Sequence, residues 1–449
     1  MTQLTVPWAD ETLSMQLPPD WTVQQVGTPS LPPARPDWAE NLARAIDNPE
    51  ESLPLGKLLA ARRGGRIVLV LEDMTRHSPL KEILPLVLRE ITHAKVESDV
   101  EIIFASGMHP PMTPQEVSEK IGPELASQFK WRSNDPRDRR AMLDLGSVRV
   151  NGSSHLDLAV DRRLAEADLR IIVSSVSPHL QAGFGGGYKM FVPGCAGLET
   201  IRQLHLLGVP RTPRQQVGEQ VDVNPMRQAI DAAGRAIDAH GGKTFAVQYV
   251  LDVNDGVSTS AAGDVNLCQQ MLAKQCAAGC GVVVDSPADV VIANACPRDF
   301  DLWQSFKAIA NTTWAARENG VIICLSRCPA GANMPTVSLP VTPELVRGVI
   351  RFVGAQTIST LATRLIPGLA GERAFFVRLA CRMLEKNPIY IVSPELAKRG
   401  AKFVGLAIFE TPEQAFAAAE KHLGSGSKRV TVFPHGGISY PLLRRGGEA

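Results

Sequence analysis

Between Gly183 and Lys189 the chain reads GFGGGYK, four glycines in seven residues ending on a lysine. Without side chains, glycines leave backbone N–H groups open to cradle an anion, and the lysine adds a charge or an amine nucleophile. Neither familiar phosphate-loop pattern fits. Tyr188 stands where a P-loop has glycine before its lysine, and Met190 where it has serine or threonine; a GxGxxG read from Gly183 meets Tyr188 at its last glycine. The same residues suit a flexible surface turn, so composition leaves a ligand loop and a plain turn both open.

Three of the nine histidines share a setting. His109 follows Gly107 after one apolar run, His179 follows Pro178 after another, and His205 sits one helical segment beyond the glycine loop. Singly, each reads as a solvated or hydrogen-bonded histidine. Three of them and a lysine on one sheet edge can do more: a pair works as acid and base near neutral pH, and a third ligates a metal as neutral imidazole. His77, His93, His155, His240 and His422 lack that setting and read as surface residues. Asp73 and Arg76, three apart in EDMTRHSP, can grip a carboxylate or phosphate bidentately, or can form a local ion pair at the start of the next helix. Gln304 and Lys307 in LWQSFKA are also three apart, which puts both on one helix face. An exposed helical lysine alone is ordinary.

These residues need elements to carry them. The run RIVLVLED from Arg66 to Asp73 is continuous, β-branched and polar at its end, the pattern of a central parallel strand feeding a loop. LKEILPLVLREITHA predicts a helix, DVEIIFASGMHPPMT a second strand, and ADLRIIVSSVSPHL a third that opens into the glycine loop, with LETIRQLHLLG helical after it. Strand, helix, strand implies right-handed crossovers, so the tips at Asp73, His109 and His179 fall on one sheet edge, where open α/β sheets bind ligands. From Ala288 a second alternation begins, with strand ADVVIANACP, a helix over Phe300 to Gly320 and strand VIICLSRC. The first sixty residues are rich in proline and polar residues, apart from a helical stretch from Trp38 to Leu59, and read as an entry arm outside the core. The expectation is α/β, two α/β domains with mostly parallel sheets and the active site in the cleft between them: 1–284 as catalytic and cofactor-binding domain, 285–424 as the second, and 425–449 as a terminal extension returning to either.

At 449 residues and 44% hydrophobic the chain can build more than one core. Lys plus Arg number 47 against 46 Asp plus Glu, so no basic field exists to hold nucleic acid or an anionic membrane. No apolar run approaches a membrane span, and the start MTQLTVPWADETLSM lacks the features of a signal peptide, which predicts a soluble, cytoplasmic protein. Eight cysteines, several inside runs such as VIICLSRC, read as reduced and buried; Cys276/Cys280 and Cys324/Cys328 are four apart, but no CxxC pair is present.

DMTRHSP, GMHPPMT, SPHLQAGFGGGYKMFVPGCAGLETIRQLH and QSFK, in this order, resemble the nickel-dependent lactate racemase family over most of the chain from about Ile67. The long segment from Pro178 to His205 is the specific part. The resemblance implies a nickel pincer nucleotide, a pyridinium-3-thioamide-5-thiocarboxylic acid mononucleotide that holds nickel between two sulfur arms and a carbon. On matching positions, it implies that Lys189 joins the cofactor through a thioamide, that His205 completes square-planar nickel, and that His109 and His179 are the two catalytic bases. Gly185, Gly186, Gly187 and Asp73 fall beside the cofactor; Arg76, Trp303, Gln304 and Lys307 fall around the substrate.

The implied reaction is racemisation or epimerisation of a 2-hydroxy acid by reversible hydride transfer. One histidine takes the hydroxyl proton as hydride leaves C2, and the other serves the opposite enantiomer. Trp303 stands where the lactate enzyme has tyrosine, and no tryptophan follows Trp314, so a hydroxydicarboxylate or sugar acid fits at least as well as lactate. The implied partners are the small-molecule substrate and cofactor-synthesis enzymes. Two competing readings differ in kind. A nucleotide or metallocofactor carrier without turnover needs Lys189 and His205 but has no use for two bases, and a zinc hydrolase lacks an HExxH or similar ligand cluster.

Overall fold

The computed structural model describes residues 2–97, 100–151, 154–208, 211–220, 222–333, 341–366, 369 and 374–444. The chain divides into two compact units, one of residues 31–210 and 218–278, the other of residues 1–30, 211–217 and 279–449.

The sheet of the first unit comprises β1 (Ile67–Leu71), β2 (Val100–Phe104), β3 (Lys130–Ser133), β4 (Leu169–Ser175), β5 (Lys243–Leu251) and β6 (Val257–Gly263), in the order β6-β5-β4-β1-β2-β3. All neighbours are parallel except the edge pair β5–β6. Every residue of β1 and β4 is buried, which is why both read as unbroken apolar runs rather than alternations. Helix α1 (Leu80–Ala94) follows β1 and turns Leu80, Ile83, Leu84, Val87, Ile91 and Ala94 inward at helical spacing. Burial of such aliphatic side chains is worth about 1.5–3 kcal/mol each. The chain moves outward from β1 to β2 and β3, then returns to lay β4 on the other side of β1. The strand order therefore reverses between β1 and β4, and the carboxyl ends of these two strands frame the crevice where such sheets take ligands.

The second unit has its own sheet of six parallel strands, in the order Leu406–Phe409, Ile389–Val392, Ala316–Leu325, Ala288–Asn294, Lys428–Phe433 and Trp21–Val26. Three expectations need correction here. The first residues are no entry arm outside the core: Trp21–Val26 pairs with Lys428–Phe433, and Leu4, Val6, Met15, Leu17 and Trp21 are buried in the core of this unit. The terminal segment, expected to return to either domain, returns to this sheet, between Ala288–Asn294 and Trp21–Val26. Finally, the helix expected through Gly320 stops at Thr312, and the polar ARENG begins a strand at Ala316, with Asn319 left-handed at φ 59°. The single helix expected over Trp38 to Leu59 is two, Trp38–Asp47 and Leu55–Ala60, separated by a segment containing Pro49 and Pro54. Among the described residues no helix is long and apolar enough to cross a membrane.

Candidate active site

The loops after β1, β2 and β4 bring the expected residues of the first unit together. Asp73, two residues beyond β1 and buried, accepts a hydrogen bond from His109 Nδ1 at 2.6 Å. Its other oxygen accepts from the Thr75 N–H and hydroxyl at 3.0 and 2.6 Å. Burial alone would raise the carboxyl, but the hydrogen bond and charge of His109, the Arg76 charge and the Thr75 hydroxyl hold it well below the usual carboxylate range. An ionised carboxylate can only accept, so Nδ1 of His109 carries a hydrogen, and whenever the ring is neutral its lone pair lies on Nε2. Arg76 Nη1 donates to the Thr75 hydroxyl at 2.9 Å, so the arginine is held on the turn by the same threonine that caps Asp73.

His179 is set in the opposite sense. It lies in a two-residue strand, Pro178–His179, paired antiparallel with Gly183–Phe184, so it is opposite Gly183 at the head of the glycine loop. Its Nδ1 accepts from the backbone N–H groups of Gln181 and Ala182 at 3.2 and 3.1 Å. Because these are donors only, the lone pair sits on Nδ1 and the neutral ring carries its hydrogen on Nε2.

Lys189 and His205 follow. Gly186 and Gly187 have φ of 72° and 63°, and the chain then tightens into a 3-10 turn, Gly187–Met190, that carries Lys189. The Gly107 N–H donates to the Gly194 carbonyl at 2.9 Å and the Gly194 N–H to the Lys189 carbonyl at 3.2 Å, which ties the His109 loop to the lysine. Burial first, and then the charges of Arg76 and Arg227, push the Lys189 ammonium down to about 7 against the pull of Asp73 and Glu72. His205 lies on α2 (Leu198–Leu206), where its Nδ1 donates to the Ile201 carbonyl at 2.7 Å, leaving the lone pair on Nε2. Burial, with the Lys189 charge, pushes this imidazole down to about 4 despite that hydrogen bond. The loop's N–H groups are largely spent within the protein: Gly185 N–H donates to the Ser177 carbonyl at 2.7 Å and Gly187 N–H to Gln248 Oε1 at 2.7 Å. Of the two forms the glycine count left open, an open anion cradle is therefore not what these two residues make.

Among the described residues, no group of three or more His, Cys, Asp or Glu is arranged to hold a metal ion. His205, kept neutral and fixed through Nδ1, nevertheless has the form of a single metal ligand. That donor set fits a metal whose remaining ligands come from a bound organic group, and a lysine with a depressed ammonium fits covalent attachment of such a group. Cys195, Cys268, Cys324, Cys328 and Cys381 are buried free thiols.

A family model described as the lactate racemase N-terminal domain matches residues 8–218. The lactate racemase of Thermoanaerobacterium thermosaccharolyticum is 28% identical over 342 residues, covering 74% of this chain and 76% of that protein. The lactate racemase of Lactiplantibacillus plantarum is 25% identical over 412 residues, 88% of this chain and 89% of that protein. Among solved structures, the lactate racemase apoprotein of T. thermosaccharolyticum shares the fold with a TM-score of 0.79 at 22% identity, covering 98% of this chain and 100% of that one. A Thermotoga maritima protein shares it at TM-score 0.64 and 17% identity, covering 90% and 98%. Residues 8–218 thus match the lactate racemase N-terminal family, and the chain is similar to lactate racemases over most of its length.

The segment matched by the family model contains Asp73, Arg76, His109, His179, Lys189 and His205. Trp303, Gln304 and Lys307 belong to the other unit, on α5 (Leu302–Thr312), whose first turn is capped by Asp301. There Lys307 Nζ donates to Gln304 Oε1 at 2.6 Å, so the two residues act as one polar pair, and Trp303 packs on Phe376 with ring centroids 4.3 Å apart. Sequence reading missed Glu72, Arg227, Gln248 and Gln269. Glu72, buried beside Asp73, accepts from the Ser175 N–H and hydroxyl at 3.0 and 2.7 Å and from the Ser78 hydroxyl, joining the carboxyl ends of β1 and β4. Its only trace in the sequence is a second acid at a strand end.

Proposed function

We propose that the chain is a racemase or epimerase of a 2-hydroxy acid that works with a nickel pincer nucleotide held by Lys189 and His205. The observation that carries the reading is the opposed hydrogen bonding of the two histidines at Nδ1, which in the neutral rings leaves His109 a lone pair and His179 a hydrogen at Nε2. When bound, the cofactor supplies the acceptor for the C2 hydrogen. His109 Nε2 takes the hydroxyl proton of one enantiomer, and the Asp73 carboxylate, already hydrogen-bonded to Nδ1, stabilises the imidazolium that results. Loss of that proton from oxygen together with the C2 hydrogen as hydride leaves a planar keto acid. His179 Nε2–H donates to the same oxygen and orients it. For His179 to act as base toward the other enantiomer, its proton must pass from Nε2 to Nδ1 and the Gln181 and Ala182 N–H groups must turn away. Arg76 suits the substrate carboxylate, and the Gln304–Lys307 pair suits the far end of the substrate.

Lactate, a hydroxydicarboxylate and a sugar acid all belong to this substrate class, and Trp303 against Phe376 supports a pocket wall unlike that of a tyrosine. The reading includes a cytoplasmic setting and dependence on cofactor-synthesis enzymes. The test is intact mass of protein produced with and without those enzymes. A covalent increase mapping to the peptide of Lys189 and vanishing in Lys189→Ala is expected. An adduct on another lysine, or none in a nickel-loaded active sample, refutes the assignment.

A further inference from the structure

The glycine loop is gripped by three polar side chains that come from three different elements. Arg227, on α3 (Pro225–His240) and only 1% exposed, donates through Nη2 to the carbonyls of Phe184 and, at 3.4 Å, Gly185, and through Nη1 to that of Gly186 at 3.3 Å. Gln248 on β5 accepts the Gly187 N–H at 2.7 Å and anchors its own amide on the Val265 carbonyl at 3.1 Å. Gln269 on α4 (Val265–Cys280) donates to the Gly185 carbonyl at 3.2 Å. Four consecutive residues, Phe184 to Gly187, are thus each held by a buried side chain, and Lys189 comes two residues later.

The glycines follow from this packing. A Cβ on Gly186 would stand 2.8 Å from Gln248 Oε1 and 2.7 Å from Val176 Cγ2, and one on Gly187 would stand 3.0 Å from Gln269 Cγ. The clamp occupies the space that side chains would need, and both residues have positive φ. A guanidinium this deeply buried is costly unless its hydrogen bonds and charge are answered. Asp231 answers the charge only weakly, at 3.5 Å, and burial raises its carboxyl despite Arg227, so most of what Arg227 bonds is the loop itself.

We propose that Arg227, Gln248 and Gln269 form a clamp whose task is to fix the glycine loop and aim Lys189, which makes Arg227 a positioning residue for the reaction. The aiming half of the inference rests on the reading of Lys189 as the attachment lysine; the clamping half does not. The Arg227 charge also helps to depress the Lys189 ammonium.

The test uses full-length apoprotein. In R227Q, hydrogen exchange of the amides in residues 185–190 should accelerate at least tenfold, while exchange in β1 stays at its native rate. R227K, which keeps the charge but reaches fewer carbonyls, should fall between. Trace labelling with acetic anhydride, normalised to exposed Lys81, should show the Lys189 midpoint moved to higher pH in R227Q and little in R227K, because only the first removes a positive neighbour. That charge dependence reports the nearness of Arg227 to Lys189, and the exchange rates report its grip on the loop. Loop exchange unchanged in folded R227Q overturns the clamp. If R227Q does not fold, Q269A decides, with faster exchange near Gly185 expected and an unaltered rate overturning it. Wild-type protein made with the cofactor-synthesis enzymes but lacking any Lys189 adduct overturns the aiming role through the underlying reading, whereas a normal adduct on a loosened R227Q loop overturns it directly.

Discussion

Replacing Asp73 by asparagine tests the proton logic at its most exposed point. The change keeps size and shape but removes the charge that His109 Nδ1 faces at 2.6 Å. Hydrogen bonds to a charged partner contribute about 1.5–3 kcal/mol net. The Asp73 side chain is only 7% exposed, which favours the upper part of that range, whereas the ring at 32% is screened, which favours the lower. Loss of this stabilisation as His109 becomes cationic should lower kcat/KM roughly 10- to 150-fold, at 1.36 kcal/mol per tenfold. The assay is interconversion of 2-hydroxy acid enantiomers by holoenzyme, with 15N NMR of the imidazoles as a second readout. His109 should leave the Nδ1–H tautomer in D73N while His179 keeps Nε2–H. The stability effect has a definite sign: a carboxyl lowered by folding contributes stability above its unfolded pKa of about 3.9 and loses it as pH falls below that. The cost of D73N should therefore be full at pH 7 and shrink below about pH 4. A kcat/KM within twofold of wild type, with the His109 tautomer unchanged, would refute the dyad.

Further outcomes follow from other parts of the site. His205→Ala should lose bound nickel and activity with little change in Tm, since a partly buried ring on one short helix is removed and the core is untouched; stoichiometric nickel in the variant would make His205 structural. Lys307→Ala should lower kcat/KM by about 10- to 1000-fold through loss of one charge-assisted contact and freeing of Gln304, and steady-state kinetics showing no change would place Lys307 outside the substrate's reach. Substrate deuterated at C2 should keep most of its label after conversion in ordinary water, and NMR showing extensive wash-out would exclude hydride transfer even if every residue assignment holds.

How much of this was readable without coordinates depends on the kind of interaction. Strands β1 and β4 were legible because burial on both faces leaves no polar alternation, and α1 because its apolar stripe has helical period. The placing of Asp73, His109 and His179 on one edge followed from crossover topology alone. The pairing of Asp73 with His109 did not, since 36 residues separate them and neither type announces its partner. Arg227 and Asp231, four apart in sequence, carry nothing in their types that announces burial, which comes with the packing of the glycine loop carbonyls on Arg227. Prolines and short alternations hid the first strands: Leu4 and Val6, then Met15 and Leu17, are spaced two apart, the signature of one buried face, which the flanking PP pairs obscured.

The placement of Trp21–Val26 beside Lys428–Phe433 also sets a timetable for biogenesis. On a ribosome adding roughly 5–20 residues per second, the early strand emerges about 20–80 s before its neighbour, with some 400 residues between them. The unit formed by residues 31–210 and 218–278 has its whole sheet translated well before then. The other sheet waits on Lys428–Phe433, and a nascent chain stopped short of Lys428 leaves Ala288–Asn294 with a bare edge, open to pairing with another chain. Shielding of that edge during translation falls to chaperones or to speed, and a chain terminated just before Lys428 should be insoluble more readily than one terminated just after Phe433.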